Sequence, residues 1–131
     1  MRATSRRQRG KLEQHVAIRD HRVTADEPPA HGGEDSGPSP QELLAASLAS
    51  CTAITMEMYA DRKGWDVGDM VVDVDYEPAQ RGSPTRFAMR VSLPKELPED
   101  QRDRLMQIAA KCPVHRTLEG EVMFEERVEL V

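Results

Sequence analysis

From Leu43 to Met56 the chain carries no charged residue, reading LLAASLASCTAITM, and this run lies inside a longer helix signal. Ser39-Pro40-Gln41-Glu42 supplies an N-cap serine, a proline at the first helical position and a glutamate that completes a capping box. The helix is expected to continue through LLAASLASCTAITMEMYADRKG, about two dozen residues or ~35 Å at ~1.5 Å per residue. Gly64 stands where a C-cap belongs. A helix apolar nearly all round must be covered on several sides. In a chain of 131 residues, its own sheet and a second subunit are expected to share that task.

The rest of the chain supplies strands and one further helix. LEQHVAI and HRVTADE read as two short strands with Asp20 in the turn between them. PPAHGGEDSGPSP, residues 28–40, is rich in Pro, Gly, Ser and Asp and reads as a loop. After the long helix, MVVDVDYEP and TRFAMRVSLP alternate apolar and polar residues, so they form two half-buried strands with a hairpin turn over 80–84. Pro98-Glu99-Asp100 opens a second helix whose apolar stripe is Leu105, Ile108, Ala109 and Cys112. Pro113 either stops that helix or starts a short new turn, and GEVMFEERVEL is expected to finish as a strand. The sum is an α+β domain over residues 11–131, preceded by a flexible basic leader over residues 1–10.

Composition excludes several functions. A net charge of −5 gives no general attraction to nucleic acid or anionic lipid. The basic start MRATSRRQRGK has no apolar segment of a secretory signal, and no apolar run is judged long enough for a membrane span. With 4% aromatic residues, the core must be built from Leu, Val, Ile, Met and Ala, and a core that thin favours dimerisation. There is no glycine-rich phosphate loop, no GxSxG elbow and no HExxH pair. Cys112 and His115 are spaced like half a zinc site, but the only other cysteine, Cys51, stands alone. Two cysteines without an export signal point to the reducing cytoplasm, where a disulfide would be transient and functional.

Each cysteine taken singly reads first as a small buried residue. Two features favour reactivity. Cys51 lies among Ala49, Ser50, Thr52 and Ala53, which leave room beside a sulfur, and Cys112 ends a helix next to His115 and Arg116.

The stretch DEPPAHGGEDSGPSPQELLAASLASCTAITMEMYADRKGW, together with AAKCPVHRTLEGEV, resembles the OsmC/Ohr family in its CPVHRTL branch. The resemblance implies an OsmC-like fold, an intertwined homodimer with antiparallel sheets around two long central helices. It also implies thiol-dependent reduction of organic hydroperoxides, with no bound cofactor and an external dithiol as reductant. On this reading Cys51 corresponds to the peroxidatic cysteine and Cys112 to the resolving one. Cys51 would become a sulfenic acid that Cys112 captures as a disulfide. Apolar walls would favour organic over hydrogen peroxide, at ~25 cal/mol per Å² of apolar surface buried.

The chain departs from the family where the thiolate is activated. Peroxidases of the family carry a glutamate directly after the proline of the helix start, and here that position is Gln41. Glu42 lies on the opposite side of the helix from Cys51 and reads as the capping residue. The family arginine could be Arg19 or Arg22, which no motif separates. An arginine beside Cys51 is expected to hold its pKa below that of a free thiol. The alternative function is a stress protein on the same fold that binds a hydrophobic small molecule or thiol conjugate in an apolar groove beside Cys51, with little or no turnover.

Overall fold

The computed structural model describes all residues from Met1 to Val131. The chain divides into two compact units, Met1–Ala46 with Asp75–Ala88, and Ser47–Val74 with Met89–Val131.

The first unit holds a three-stranded antiparallel sheet in the order β1-β2-β3, formed by Thr4–Arg7, Gln14–Ile18 and His21–Ala25. Strands β2 and β3 are the pair expected from alternation, registered His15 to Thr24 and Ile18 to His21. Strand β1 forms within the segment expected as a flexible leader. Its backbone pairs Thr4 with Ala17 and Arg7 with Gln14, and the ladder hydrogen bonds require no apolar pattern in its mostly exposed side chains.

The loop that follows is tied to Asp26. This carboxylate is 3% exposed and accepts from the backbone N–H of Glu27, Glu34 and Ser36 at 2.8, 3.2 and 3.1 Å, and from the Ser36 hydroxyl at 2.7 Å. So many donors around one charge hold its pKa down to about 2, with the Ser36 N–H the strongest influence. The turn closes tightly enough that a Cβ on Gly33 would sit 1.8 Å from the Glu27 carbonyl oxygen. The loop delivers the chain to Ser39, whose hydroxyl accepts from Glu42 N–H at 3.2 Å while Glu42 accepts from Ser39 N–H at 2.9 Å. The expected capping box is therefore in place, and α1 runs over Pro40–Lys63. It ends at Gly64, which takes the left-handed φ of 70° that a C-cap glycine allows, with Trp65 N–H donating back to the Ala60 carbonyl at 2.9 Å.

The buried residues of α1 are Leu48, Thr52, Met56 and Ala60, a single stripe at i, i+4 spacing. In the second unit Met56 and Ala60 pack with Leu97, Leu105 and Ala109, edged by Tyr59, Trp65 and Val91. Leu105 and Ala109 come from α2, Glu99–Ala109, and a short α3 follows over Pro113–Glu119. Strands β4 (Val71–Glu77) and β5 (Arg86–Ser92) pair, and Gln80 and Ser83 close the turn through reciprocal backbone bonds of 3.0 and 2.9 Å.

Two expectations are corrected. By length and composition α1 is apolar enough to cross a membrane, with a mean hydropathy of 1.3 over its most apolar window, because the carboxylates that break the run are few. The segment expected as a final strand, residues 121–131, has no regular secondary structure. Its alternating side chains suit a strand, but a strand exists only against an edge that accepts its hydrogen bonds.

Candidate functional site

The second unit brings Cys51 and Cys112 together. Cys51 sits on α1 beside the buried stripe, and Thr52, the next residue, lies within the stripe. Cys112 is carried by the corner between α2 and α3. The chain cannot continue as one helix through Pro113, which has no N–H, so it turns and restarts. Cys112 becomes the N-cap of α3, and its Sγ accepts the His115 backbone N–H at 3.3 Å. Both cysteines are free thiols within hydrogen-bonding reach of each other. Cys112 is fully buried and Cys51 is half-buried.

The two sulfurs do not titrate alike. Burial pushes the Cys51 thiol up, and its hydrogen bond to Cys112 pushes it further, against weaker opposition from the Val114 N–H and the Thr55 hydroxyl. Burial also pushes Cys112 up, but the Cys51 thiol, the His115 N–H, the nearby Thr52 hydroxyl and the Val114 N–H, all of which favour the thiolate, outweigh it, so its net shift is down. Of the two thiols, Cys112 is therefore the one favoured to give up its proton first, and Cys51 the one favoured to keep it. A lowered Cys51 pKa was expected from a neighbouring arginine, and the direction is reversed. The groups acting on the Cys51 sulfur are a thiol, a backbone N–H and a hydroxyl, with no cation among them.

Thr52 has an unusual position. Its hydroxyl is fully buried and has no well-aligned partner, and it faces the Cys112 sulfur, where it favours the thiolate. The His115 ring, one turn into α3, has Nδ1 at 3.2 Å from Glu119 Oε1, although the alignment is not that of a hydrogen bond.

Residues 33–127 match the family described as OsmC-like protein. The chain belongs to that family. No curated protein matches the sequence closely enough to add a function. Among solved structures, this OsmC-like chain is similar to a putative osmotic stress induced and detoxification response protein from Psychrobacter arcticus, at 22% identity and a TM-score of 0.74, covering 88% of this chain and 85% of that one. It is similar to an OsmC like protein from Mycoplasma pneumoniae at 19% identity and a TM-score of 0.76, covering 91% and 86%. The organic hydroperoxide resistance protein OhrB of Bacillus subtilis matches at 20% identity and a TM-score of 0.60, covering 91% and 90%. The OsmC-like fold expected from the sequence, α+β with antiparallel sheets, is the fold observed.

The remaining predicted site residues belong to the first unit. Arg19 is exposed in the β2–β3 turn with a left-handed φ of 52°, and Arg22 is exposed on β3, opposite Ala17. Gln41 is exposed in the first turn of α1. A cavity of about 300 Å³ in the second unit lies farther along α1 than Cys51, between Met58 and Trp65, and carries Glu57, Asp61 and Asp66 on its walls.

Sequence reasoning missed Thr52, Thr55 and the Val114 N–H. Two of these were within reach of helical counting: Thr52 is four residues after Leu48 and four before Met56, on the buried stripe, and Thr55 is four after Cys51, on the same face as the thiol. The Val114 N–H has no sequence signal beyond the proline that turns the chain.

Proposed function

We propose that this OsmC-like protein is a thiol-dependent peroxidase that reduces organic hydroperoxides through Cys51 and Cys112, in the cytoplasm, as a homodimer reset by an external dithiol. The observation that carries this reading is the contact of two free thiols, distant in sequence, at the first turn of α3. Once the pair has lost one proton to solvent, transfer of the remaining proton from Cys51 along the hydrogen bond to Cys112 places the thiolate on the more accessible sulfur. Cys51 Sγ then attacks the distal peroxide oxygen, the O–O bond breaks, and the alkoxide leaves with a proton as the alcohol. Cys112 attacks the resulting sulfenic sulfur and displaces hydroxide, closing the disulfide. No bound cofactor enters these steps.

The homodimer is supported by apolar surface with no cover in one chain. Ile54 and Met58 on α1 are 56% and 60% exposed, and Phe124 and Val128 in the terminal segment are 81% and 86% exposed. A second copy that covers α1 and offers an edge to residues 121–131 would satisfy both. Sedimentation showing only a folded monomer at micromolar concentration would rule this out.

The raised Cys51 thiol and the neutral Gln41 favour a second reading, a protein that binds a hydrophobic molecule or thiol conjugate with little turnover. The two readings separate in a peroxide consumption assay with cumene hydroperoxide and dithiothreitol. Steady turnover that is lost in Cys51→Ser is the expected result, and a parent no faster than Cys51→Ser decides for binding.

A further inference from the structure

In the proposed reaction the oxidised state is a Cys51–Cys112 disulfide, and the two ends of that bond are not equivalent. Thiol–disulfide exchange favours attack on the sulfur that a nucleophile can reach and expulsion of the sulfur whose thiolate is better stabilised. The side chain of Cys112 is fully buried, so an incoming thiol has no path to it, whereas Cys51 is half-buried. The Cys112 sulfur also already holds the His115 N–H at 3.3 Å as the cap of α3. Beside it lies the Thr52 hydroxyl, fully buried and without an aligned partner of its own. A thiolate is a much stronger acceptor than a disulfide sulfur, so the hydroxyl gains its partner at the moment the bond breaks. Access and leaving-group stabilisation select the same direction.

On the two-cysteine reading given above, we infer that the reductant attacks Cys51 and expels Cys112, with Thr52 as the positioning residue that receives the departing thiolate. A thiolate of the external dithiol forms a bond to Cys51 Sγ, the Cys51–Cys112 bond breaks, and its electron pair goes to Cys112 Sγ. The second thiol of the reductant gives its proton to solvent and attacks its own first sulfur, expelling Cys51, which takes up a proton. The reductant leaves as a disulfide, having delivered two electrons. The downward pull on Cys112, achieved despite its burial, supports the same assignment. The surface that recognises the reductant is then the one around Cys51 on α1, and the α2–α3 corner serves only to receive charge.

The test does not depend on peroxide. The disulfide is formed with diamide and opened with a monothiol, 2-mercaptoethanol, which forms a mixed disulfide. The exchange is quenched with acid, the protein is unfolded in guanidinium chloride so that both sulfurs are open, N-ethylmaleimide caps the thiol released, and peptides are mapped by mass spectrometry. Mercaptoethanol on Cys51 with maleimide on Cys112, favoured about tenfold over the opposite pattern, is expected. The opposite pattern, an even mixture, or no intramolecular disulfide after diamide overturns the inference. Thr52→Val, nearly the same shape, should slow opening by the monothiol about tenfold and level the labelling, and Thr52→Ser should restore both. An unchanged rate in Thr52→Val removes Thr52 from the role. If that variant does not fold, the labelling pattern of the parent with the rate in Thr52→Ser still decides. Peroxide turnover is scored separately, so its absence alongside the expected labelling counts against the peroxidase reading and not against the direction of exchange.

Discussion

Asp26 in the first unit and Cys112 in the second are each buried and surrounded by backbone N–H groups and a hydroxyl. The donors are alike and the consequences are not. Around Asp26 every donor comes from the loop that the carboxylate organises, from Glu27 to Ser36, and no second acid competes for the proton. The charge is permanent at neutral pH, and the donors stabilise a shape. Around Cys112 one of the donors is itself an acid, the Cys51 thiol, so the same arrangement sets which of two sulfurs gives up its proton first. A ring of donors around a strong acid fixes structure; around one member of a thiol pair it sets reactivity.

The sharpest way to break this contrast is to delete the competing acid. Cys51→Ser should lower peroxide turnover roughly a thousandfold or more, because no other sulfur is open to the substrate, with the circular dichroism spectrum unchanged. Cys112→Ser should differ in kind, allowing about one turnover and leaving a sulfenic acid on Cys51 that dimedone traps. Asp26→Asn should leave the rate per folded molecule as it was. A large loss of turnover in a folded Asp26→Asn protein would erase the division between shape and reactivity.

Next in size is stability. Asp26→Ala removes an acceptor shared by four donors and should lower Tm on the order of 5–10 °C. The pH dependence has a definite sign. The folded pKa, about 2, lies below that of an ordinary carboxylate. Ionised Asp26 therefore contributes its full stabilisation above the ordinary range and loses it as pH falls from there through about 2. The difference in Tm between the parent and Asp26→Ala should shrink over that window in thermal unfolding scans, and a constant difference down to pH 2 would show that the charge is not what holds the loop.

How much of this could be read in the sequence follows the range of the forces involved. The start of α1 was legible because Ser39, Pro40 and Glu42 act on one another within a single turn. The end at Gly64 and the β4–β5 hairpin were legible for the same reason, and so was the break at Pro113. Strand β1 was not, since Thr4–Arg7 is held by its backbone pairing with Gln14–Ala17 and its side chains carry little signal. The terminal segment failed in the opposite sense: its alternation is clear, but no strand of this chain pairs with it. At the site, the family motif located both sulfurs but not the proton. Its position depends on how many donors reach each sulfur across the α1–α3 contact, and neither spacing nor composition encodes that count.

A smaller effect sharpens the thiol side. Cys112 raises the Cys51 thiol both by accepting its proton in a hydrogen bond and by charge, so Cys112→Ser, with a hydroxyl that does not ionise in this range, should move the Cys51 titration down. Iodoacetamide alkylation rates against pH would follow it, with a midpoint lower in Cys112→Ser than for Cys51 in the parent. A midpoint that stays put would mean that burial alone sets the Cys51 thiol, and the two sulfurs would then titrate as strangers.

The smallest expected effect compares one hydroxyl in each region. Ser36 acts on Asp26 through both its N–H at 3.1 Å and its hydroxyl at 2.7 Å, and the N–H has the greater influence on the carboxyl pKa. Ser36→Ala removes only the hydroxyl and leaves three backbone donors in place, so the Asp26 pKa should rise but stay below the ordinary carboxylate range, with a Tm change of a few degrees at most. Thr52 stands in the same relation to Cys112, but there the competing proton is on a neighbouring sulfur, so losing the hydroxyl should redistribute charge within the pair rather than loosen a loop. NMR titration of the Asp26 carboxyl carbon in Ser36→Ala, set beside thiol titration in Thr52→Val, measures both. If Ser36→Ala brings Asp26 back to the ordinary range, the backbone donors are passive, and the shape of that loop depends on one serine rather than on the closure of the chain around a charge.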